Sequence, residues 1–202
     1  MIDLHAHILP GLDDGAESLE ESVEMCRMSF QDGVRTIVAT PHILPGVYKN
    51  NRSIILTQTH ELNEAIEKFG IGSSILPGAD VHFSPNLLQL CENGEIVTVN
   101  DEGHFLMVEF DFMSLPYQGR EVLFELIARG IIPVITHPER NLEIARSPKR
   151  YYEMIQMGCL GQVTAMSLTG GFGPEVKGVA ERLLAHRLIH FIASDTHSGH
   201  RT

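Results

Sequence analysis

The sequence opens with Met1-Ile-Asp-Leu-His-Ala-His7, a short apolar run that ends in two histidines. Residues two apart on a β-strand point to the same face, so we expect His5 and His7 to project together from one strand end. The stretch Leu188-Ile-His-Phe-Ile-Ala-Ser-Asp195-Thr-His197 repeats this arrangement near the other end of the chain. A lone His-x-His pair is a weak signal of a metal site, but the same pattern, an apolar run followed by Asp, Glu or His, recurs along the sequence and strengthens the signal.

Short apolar runs alternate with amphipathic segments between these two stretches. Ser18 and Glu21 form a capping-box pattern, which predicts a helix over 18–32. The periodicity predicts further helices over 52–69, 120–129, 148–157 and 174–187, and strands over 35–40, 74–80, 104–110, 131–136, 160–165 and 188–194. Roughly seven strand-then-helix units imply parallel strands joined by right-handed crossovers. This number favours an α/β barrel, and an open doubly wound sheet is the alternative that periodicity leaves.

Length and composition are those of a globular protein that folds as a single domain over residues 1–202. A formal net charge of −11 argues against a nucleic-acid partner, because phosphate backbones favour clustered Lys and Arg. Three cysteines that are far apart and odd in number, Cys26, Cys91 and Cys159, are typical of free thiols in a reducing cytoplasm. With no secretory signal pattern and no apolar run of transmembrane length, we expect a cytoplasmic protein without membrane insertion. The oligomeric state stays open.

Polar residues follow the predicted strands at their C-terminal ends, where barrels of this kind hold their active sites. Six of the seven strand ends carry Asp, Glu or His directly after an apolar run, and the exception ends in Thr164-Ala-Met-Ser167. The six groups are His5 and His7 followed by Asp13 and Asp14, Thr40-Pro-His42, Gly78-Ala-Asp80, Val108-Glu109, Thr136-His137-Pro-Glu-Arg140, and Ser194-Asp195-Thr-His197. As a set, they predict a multinuclear metal centre.

The residue types at these strand ends suit phosphoryl-transfer chemistry. Imidazole and carboxylate ligands fit Mn, Fe, Zn or Mg ions, which activate water and stabilise in-line displacement at phosphorus. Arg140 and Arg201 flank the cluster in sequence, and a guanidinium is the natural fork for phosphate oxygens.

The motifs His5-Ala-His7, Asp13-Asp14-Gly15, Thr40-Pro-His42, His137-Pro-Glu-Arg140 and Ser194-Asp195-Thr-His197 resemble the PHP (polymerase and histidinol phosphatase) superfamily. Within it, the sequence is similar to the bacterial manganese-dependent protein-tyrosine phosphatases of capsule and exopolysaccharide operons. The likeness covers essentially the whole chain. It implies a distorted (β/α)7 barrel, similar to a TIM barrel, with a trinuclear centre at the strand C-termini.

The resemblance also implies a ligand set. His5, His7, Asp80 and Asp195 would bind the first ion; Asp80, Glu109 and His137 the second, with Asp80 bridging; and Asp14, His42 and His197 the third. Arg140 and Arg201 would grip the phosphate and, with Asp14, form the expected catalytic set. The bridging position is usually Glu in this branch, whereas here it is Asp80. The family also continues with C-terminal helices, which a chain that ends at Thr202 is expected to lack.

The implied activity is that of a protein-tyrosine phosphatase, in which a metal-activated hydroxide attacks phosphorus without a phosphocysteine intermediate. The expected partner is a phosphotyrosine protein, a bacterial tyrosine kinase that regulates capsular or exopolysaccharide synthesis. Mn²⁺ is the expected metal, as two or three ions, with Fe, Zn or Mg as alternatives. The same residues would also serve a small-molecule phosphoesterase of the histidinol phosphatase kind or an inactive metal-binding regulatory module.

The remaining histidines have no expected place in the cluster, and we interpret them as surface or core residues: His60, His82, His104, His186, His190 and His200. Asp3, Asp13 and Glu139 adjoin expected ligands and are candidates for hydrogen bonds that support them. Aromatic residues that could line a substrate mouth are Tyr48, Phe110, Phe112 and Tyr117.

Overall fold

The computed structural model describes residues 1–48 and 50–199. Strands and helices alternate along these ranges. The elements are β1 (Ile2–Ala6), α1 (Leu19–Gln31), β2 (Thr36–Ala39), β3 (His42–Ile43), α2 (Arg52–Lys68), β4 (Ser74–Pro77), β5 (Asp80–His82), α3 (Leu87–Glu92), β6 (Phe105–Glu109), α4 (Gly119–Ala128), β7 (Ile132–Thr136), α5 (Leu142–Arg146), α6 (Lys149–Met157), β8 (Leu160–Thr164), α7 (Ala165–Thr169), α8 (Pro174–Ala185) and β9 (Phe191–Ala193).

The strands form two parallel sheets, one in the order β1-β2-β4 and the other in the order β3-β5-β6-β7-β8-β9. β3 continues the path of β2 after a two-residue break, and β5 continues that of β4, so the nine strands occupy seven positions. The ring closes between the first and last positions, because Asp195 N donates to His5 O at 2.9 Å and His7 N donates to Thr196 O at 2.8 Å. The predicted distorted (β/α)7 barrel is confirmed.

One predicted strand is wrong. The range 74–80 was expected to be continuous, but it divides into β4 and β5, which belong to different sheets. The break falls at Gly78, where a Cβ atom would lie 2.7 Å from Val38 Cγ1. The chain therefore passes too close to the neighbouring strand for any side chain, and Asp80 begins a new strand segment instead of ending the old one.

The longer helices match their predicted ranges to within a few residues. Ser18 caps α1 as expected, since its Oγ accepts from Glu21 N at 3.3 Å. The Glu21 carboxylate accepts from Glu17 N at 2.9 Å, one residue earlier than a regular capping box. Three helices were not predicted, α3, α5 and α7, because five or six residues are too few to show a helical period.

The helices pack their apolar faces around the outside of the barrel. Val23 and Cys26 of α1, and Leu62 of α2, are buried against the strands. Among the described residues, no helix combines the length and the apolar character that crossing a membrane requires. The seven-position ring leaves the C-terminal strand ends together at one mouth of the barrel.

Candidate metal centre

The histidine pair of β1 lies at the centre of this mouth. His5 Nε2 and His7 Nε2 are 3.0 Å apart, and both side chains are fully buried. His5 Nε2 lies 3.3 Å from Asp195 Oδ1 and 3.6 Å from Asp80 Oδ2. Three residues from three strand positions thus converge on one ring nitrogen.

Asp80 occupies the middle of the cluster. Its Oδ2 lies 3.6 Å from His5 Nε2, 3.7 Å from His42 Nδ1 and 3.8 Å from His137 Nε2. Glu109 lies beyond it, with one oxygen 3.4 Å from His137 Nε2 and the other 3.5 Å from His42 Nδ1. The shorter Asp side chain therefore reaches the central position, although Glu is usual there in the branch that the sequence resembles.

The outer part of the cluster is open to solvent. Asp14 Oδ1 lies 3.7 Å from His42 Nε2 and 3.6 Å from His197 Nε2, and its side chain is 53% exposed. The His197 ring stacks on His7 with the ring centroids 4.0 Å apart. This region connects the buried histidines to the surface.

The donor set fits bound cations. Two imidazole nitrogens that face each other at 3.0 Å, as in His5 and His7, need a cation or a proton between their lone pairs. Asp80 Oδ2 and His42 Nδ1 are buried and accept no hydrogen bond within the described part of the chain. The ligand atoms form three groups, and within each group all of them lie within 4.8 Å of one another. The groups are His7, Asp14, His42 and His197; His5, His7 and Asp80; and His42, Asp80 and Glu109.

These groups differ in part from the expected ligand sets. They place His7 with the outer residues and His42 with Asp80 and Glu109. Asp195 and His137 belong to none of the three groups but lie next to them, 3.3 Å from His5 Nε2 and 3.4 Å from Glu109 Oε1, respectively. All nine expected ligands nevertheless meet at one mouth. The assignment of particular residues to particular ions stays a prediction.

The electrostatics of the cluster favour positive charge. Burial raises the pKa of Asp195, but the neighbouring His5 and His7 rings outweigh it and hold that pKa well below its usual range. Burial likewise raises the pKa of Asp80, and His5 and His137 lower it further than burial raises it. Burial lowers the pKa of His7, yet hydrogen bonds to Asp13 and Asp195 raise it to about 10. Buried carboxylates that stay ionised create a negative field suited to cations.

Three side chains behind the cluster orient its members. Asp13 Oδ2 lies 2.7 Å from His7 Nδ1 and also accepts from His42 N at 2.9 Å, so the expected supporting role of Asp13 has a geometric basis. Gln162 Oε1 lies 3.0 Å from His5 Nδ1, and Thr136 donates to Asp80 Oδ1 at 3.1 Å. Such contacts fix the ring tautomer and the direction of a ligand atom.

Sequence reasoning missed Gln162 and Thr136. Thr136 directly precedes the expected ligand His137, and Gln162 lies two residues before Thr164, on the face of the strand that points to the site. That register was the available signal for Gln162. Asp3 accepts from Ser194 N at 3.0 Å and from Ser194 Oγ at 2.5 Å, which ties β1 to the last strand, and its Oδ1 also accepts from His5 N at 3.4 Å.

Arg140 lies at the edge of the cluster. Its Nη1 donates to Asp195 Oδ2 at 3.2 Å. The guanidinium lies 4.6 Å from the centroid of the Phe112 ring and 4.8 Å from that of Phe172. The two rings and the carboxylate hold the planar fork beside the cluster, where it can meet an oxyanion.

The turn that presents Arg140 is tied to the strand end that lacks a ligand. His137 adopts a left-handed backbone conformation (φ 32°), and Glu139 Oε1 accepts from Thr164 N at 3.0 Å and from Ser167 Oγ at 2.6 Å. Thr164 and Ser167 therefore hold the Glu139 side chain. The sixth strand end contributes support instead of ligands.

The remaining expected residues lie in different places. Arg201 and His200 lie outside the described residues. His82 was expected to have no place in the cluster, but its Nδ1 lies 3.6 Å from Glu109 Oε2, because the break before β5 brings His82 into register with Glu109. Tyr48 stacks on His42, with the ring centroids 5.8 Å apart, and so lines the mouth.

A closed ring of parallel strands with histidines and carboxylates at its C-terminal mouth defines a (β/α)7 barrel with a candidate multinuclear metal centre. The chain belongs to the family described as capsular polysaccharide synthesis, CpsB/CapC, whose model matches residues 1–202.

Several relatives support this assignment along almost the whole chain. The tyrosine-protein phosphatase YwqE of Bacillus subtilis is 39% identical over 198 residues, which cover 98% of this chain and 78% of YwqE. The tyrosine-protein phosphatase CpsB of Streptococcus pneumoniae is 33% identical, with coverage of 98% and 83%. A solved structure from the work on these two proteins, described as unique metal-dependent tyrosine phosphatases, matches with a TM-score of 0.96 and 38% identity over 100% of this chain and 81% of that chain.

Proposed function

We propose that this protein is a metal-dependent protein-tyrosine phosphatase, a phosphoric monoester hydrolase. The observation that carries the proposal is the buried histidine and carboxylate cluster with the Arg140 guanidinium held at its edge. The names of the relatives YwqE and CpsB support phosphotyrosine as the substrate.

We propose Mn²⁺ as the resident metal, in two or three sites, with Fe, Zn or Mg compatible with the same donors. The nine residues proposed to hold the ions are His5, His7, Asp14, His42, Asp80, Glu109, His137, Asp195 and His197. When bound, such ions lower the pKa of water and stabilise charge on phosphoryl oxygens.

The protein's own side chains bind and orient the substrate. The N–H groups of Arg140 that do not face Asp195 bind phosphate oxygens, and the exposed Phe112 ring beside it packs against the phenyl group of phosphotyrosine. Asp14 lies at the solvent side of the cluster, where a substrate enters, and we assign it to the catalytic set. Arg201 would extend the phosphate site.

A cysteine nucleophile does not fit the structure. Burial raises the pKa of the Cys26 and Cys159 thiols to about 12 and that of Cys91 to about 11. A thiol that stays protonated at neutral pH is a poor nucleophile. Cys26 lies in α1 and Cys159 precedes β8, away from the C-terminal mouth.

The physiological substrate we infer is a phosphotyrosine protein of the capsule pathway, namely a tyrosine kinase that regulates capsular or exopolysaccharide synthesis. The family description, which concerns capsular polysaccharide synthesis, supports this assignment. The three free cysteines support a cytoplasmic location, where thiols stay reduced.

The test uses purified protein stripped with a chelator and reloaded with Mn²⁺. It should then hydrolyse a phosphotyrosine peptide and p-nitrophenyl phosphate, and the stripped protein should not. Glu109→Gln should lose most of the activity, whereas Glu181→Gln, which changes an exposed glutamate of α8, should keep it. Full activity after removal of the metal would contradict the proposal.

The same assay separates the two alternatives. Faster turnover of histidinol phosphate than of the phosphotyrosine peptide would indicate a small-molecule phosphoesterase. Bound metal without turnover of any phosphomonoester would indicate an inactive metal-binding module.

A further inference from the structure

A second cavity lies inside the barrel, away from the candidate metal centre. Its volume is about 410 Å³, and we call it the lower cavity. Side chains from six barrel positions line it: Leu4, Leu76, Met107, Val134, Gln162 and Phe191. These six side chains are apolar apart from Gln162, the polar Asn100 and Glu102 complete the lining, and the volume falls in the range of small-molecule pockets.

The strand register places the lower cavity one layer beneath the cluster. Met107 precedes Glu109 by two residues, and Gln162 precedes Thr164 by two. Residues two apart on a strand share a face, so Met107 and Gln162 point into the barrel as Glu109 and Thr164 do. Barrel interiors are normally filled by layers of side chains, and here one layer leaves space.

Gln162 forms the boundary between the lower cavity and the cluster. The residue is fully buried, and its Oε1 lies 3.0 Å from His5 Nδ1. A metal ligand must keep its lone pair, so with His5 Nε2 in that proposed role the proton of a neutral ring belongs on Nδ1, which donates to Gln162 Oε1; this step rests on the proposed function. The Gln162 amide nitrogen is then a donor, and within residues 1–48 and 50–199 it has no hydrogen-bond partner.

A buried donor of this kind is unfavourable unless an acceptor meets it. The apolar walls supply no acceptor, because the side chains of Met107 and Val134 carry no oxygen. Both residues are buried, with 2% and 5% of their surface exposed. The outer rim adds Glu102, whose carboxylate accepts from Asn100 Nδ2 at 2.6 Å. A carboxylate at the entrance disfavours anions.

We propose that the lower cavity binds a small, uncharged molecule with an apolar body and one acceptor oxygen, which accepts a hydrogen bond from Gln162 Nε2. The body fills the space between the walls, and the oxygen meets the amide at the top. This site is separate from the phosphatase site, and its occupant is not the phosphate ester that enters at the opposite mouth.

The test titrates the protein with acetophenone, which has a phenyl body and one carbonyl oxygen. The readout is the NMR signal of ¹³C-labelled methionine methyl groups. The Met107 signal should shift and saturate, whereas that of Met113, which is 67% exposed and outside the lower cavity, should not. α-Methylstyrene has the same shape without the oxygen, and it should bind about fivefold more weakly, as expected for one lost hydrogen bond.

Two variants complete the test. Val134→Phe should fill the space and abolish saturation, with the signal of Met154, which is buried and outside the lower cavity, reporting an intact fold. If that variant does not fold, Gln162→Leu keeps the cavity and should bind both probes equally. Equal binding of the two probes to the unchanged protein, as expected if water alone meets the amide, would overturn the proposal, and so would an absent Met107 shift.

Discussion

Arg140 Nη1 donates a hydrogen bond at 3.2 Å to Asp195 Oδ2, whereas the other oxygen of that carboxylate lies 3.3 Å from His5 Nε2. Asp195 thus links the arginine to the histidine cluster through one planar group. The orientation of the guanidinium and the charge of the cluster are therefore coupled. A substrate phosphate that meets Arg140 is placed directly beside the cluster.

Replacement of Arg140 by alanine should lower kcat/KM for a phosphotyrosine peptide about 100-fold, because a preorganised donor to the phosphoryl oxygens is lost. The kcat/KM of Arg140→Lys should lie between those of Arg140→Ala and the unchanged protein, since lysine keeps the charge but not the planar fork. Arg146→Ala is the matched control, because Arg146 is an exposed arginine of α5. Steady-state kinetics check the prediction, and a kcat/KM within twofold of the unchanged protein for Arg140→Ala would contradict it.

Asp13→Asn should weaken Mn²⁺ binding about 10- to 100-fold, as expected when a group that orients a ligand loses its charge. Asp13 Oδ2 lies 2.7 Å from His7 Nδ1, so the amide would hold the ring less firmly. The control is Asp32→Asn, an exposed position that follows α1. Competition with a fluorescent chelator measures the affinity, and an unchanged dissociation constant for Asp13→Asn would argue against a role for Asp13.

Alkylation with iodoacetamide at pH 7 should leave the phosphatase activity unchanged, whereas a chelator should remove it. The thiols of Cys26 and Cys159 have a pKa raised by burial from 9.0 to about 12, so both stay protonated at pH 7. The upward direction of this pKa shift also predicts an effect on stability. Between about pH 9 and 12 the unfolded chain ionises these thiols before the folded protein does, so the free energy of unfolding should fall as the pH rises.

Mass spectrometry after mild alkylation, together with urea denaturation at pH 8 and pH 10, measures both effects. Rapid labelling of Cys26 in the folded protein, with parallel loss of activity, would sink the prediction.

The sequence pattern was sufficient to place the expected ligands at strand ends because each strand-end motif is local. An apolar run followed within two residues by His, Asp or Glu can be read without knowing its neighbours, as at His5 and His137. The break at Gly78 is not local, since it depends on the approach of Val38 from the adjacent strand. The prediction of single elements therefore succeeded, whereas the prediction of a continuous strand across the junction between the two sheets was wrong.

Residues that support the cluster were harder to predict for the same reason. Gln162 reaches His5 across 157 positions of sequence, and His82 reaches Glu109 because β5 pairs with β6 in a register that the break creates. Neither contact follows from a motif. Both follow from which residues of neighbouring strands lie side by side, which a single sequence does not specify.

Gly161→Ala should destabilise the protein by about 3 kcal/mol, because a Cβ atom at this position would lie 2.0 Å from Tyr151 Oη and 2.7 Å from Leu188 O. Tyr151 is fully buried and donates to Leu188 O at 2.8 Å, so neither partner can move away without losing that bond. Gly178 is the matched control: it is an exposed glycine of α8 whose Cβ atom would meet nothing within 4 Å. Gly178→Ala should therefore stabilise the protein by about 0.5–1 kcal/mol through helix propensity. Urea denaturation of both variants measures the free energies of unfolding, and equal values for the two would show that β8 accommodates a methyl group against Tyr151.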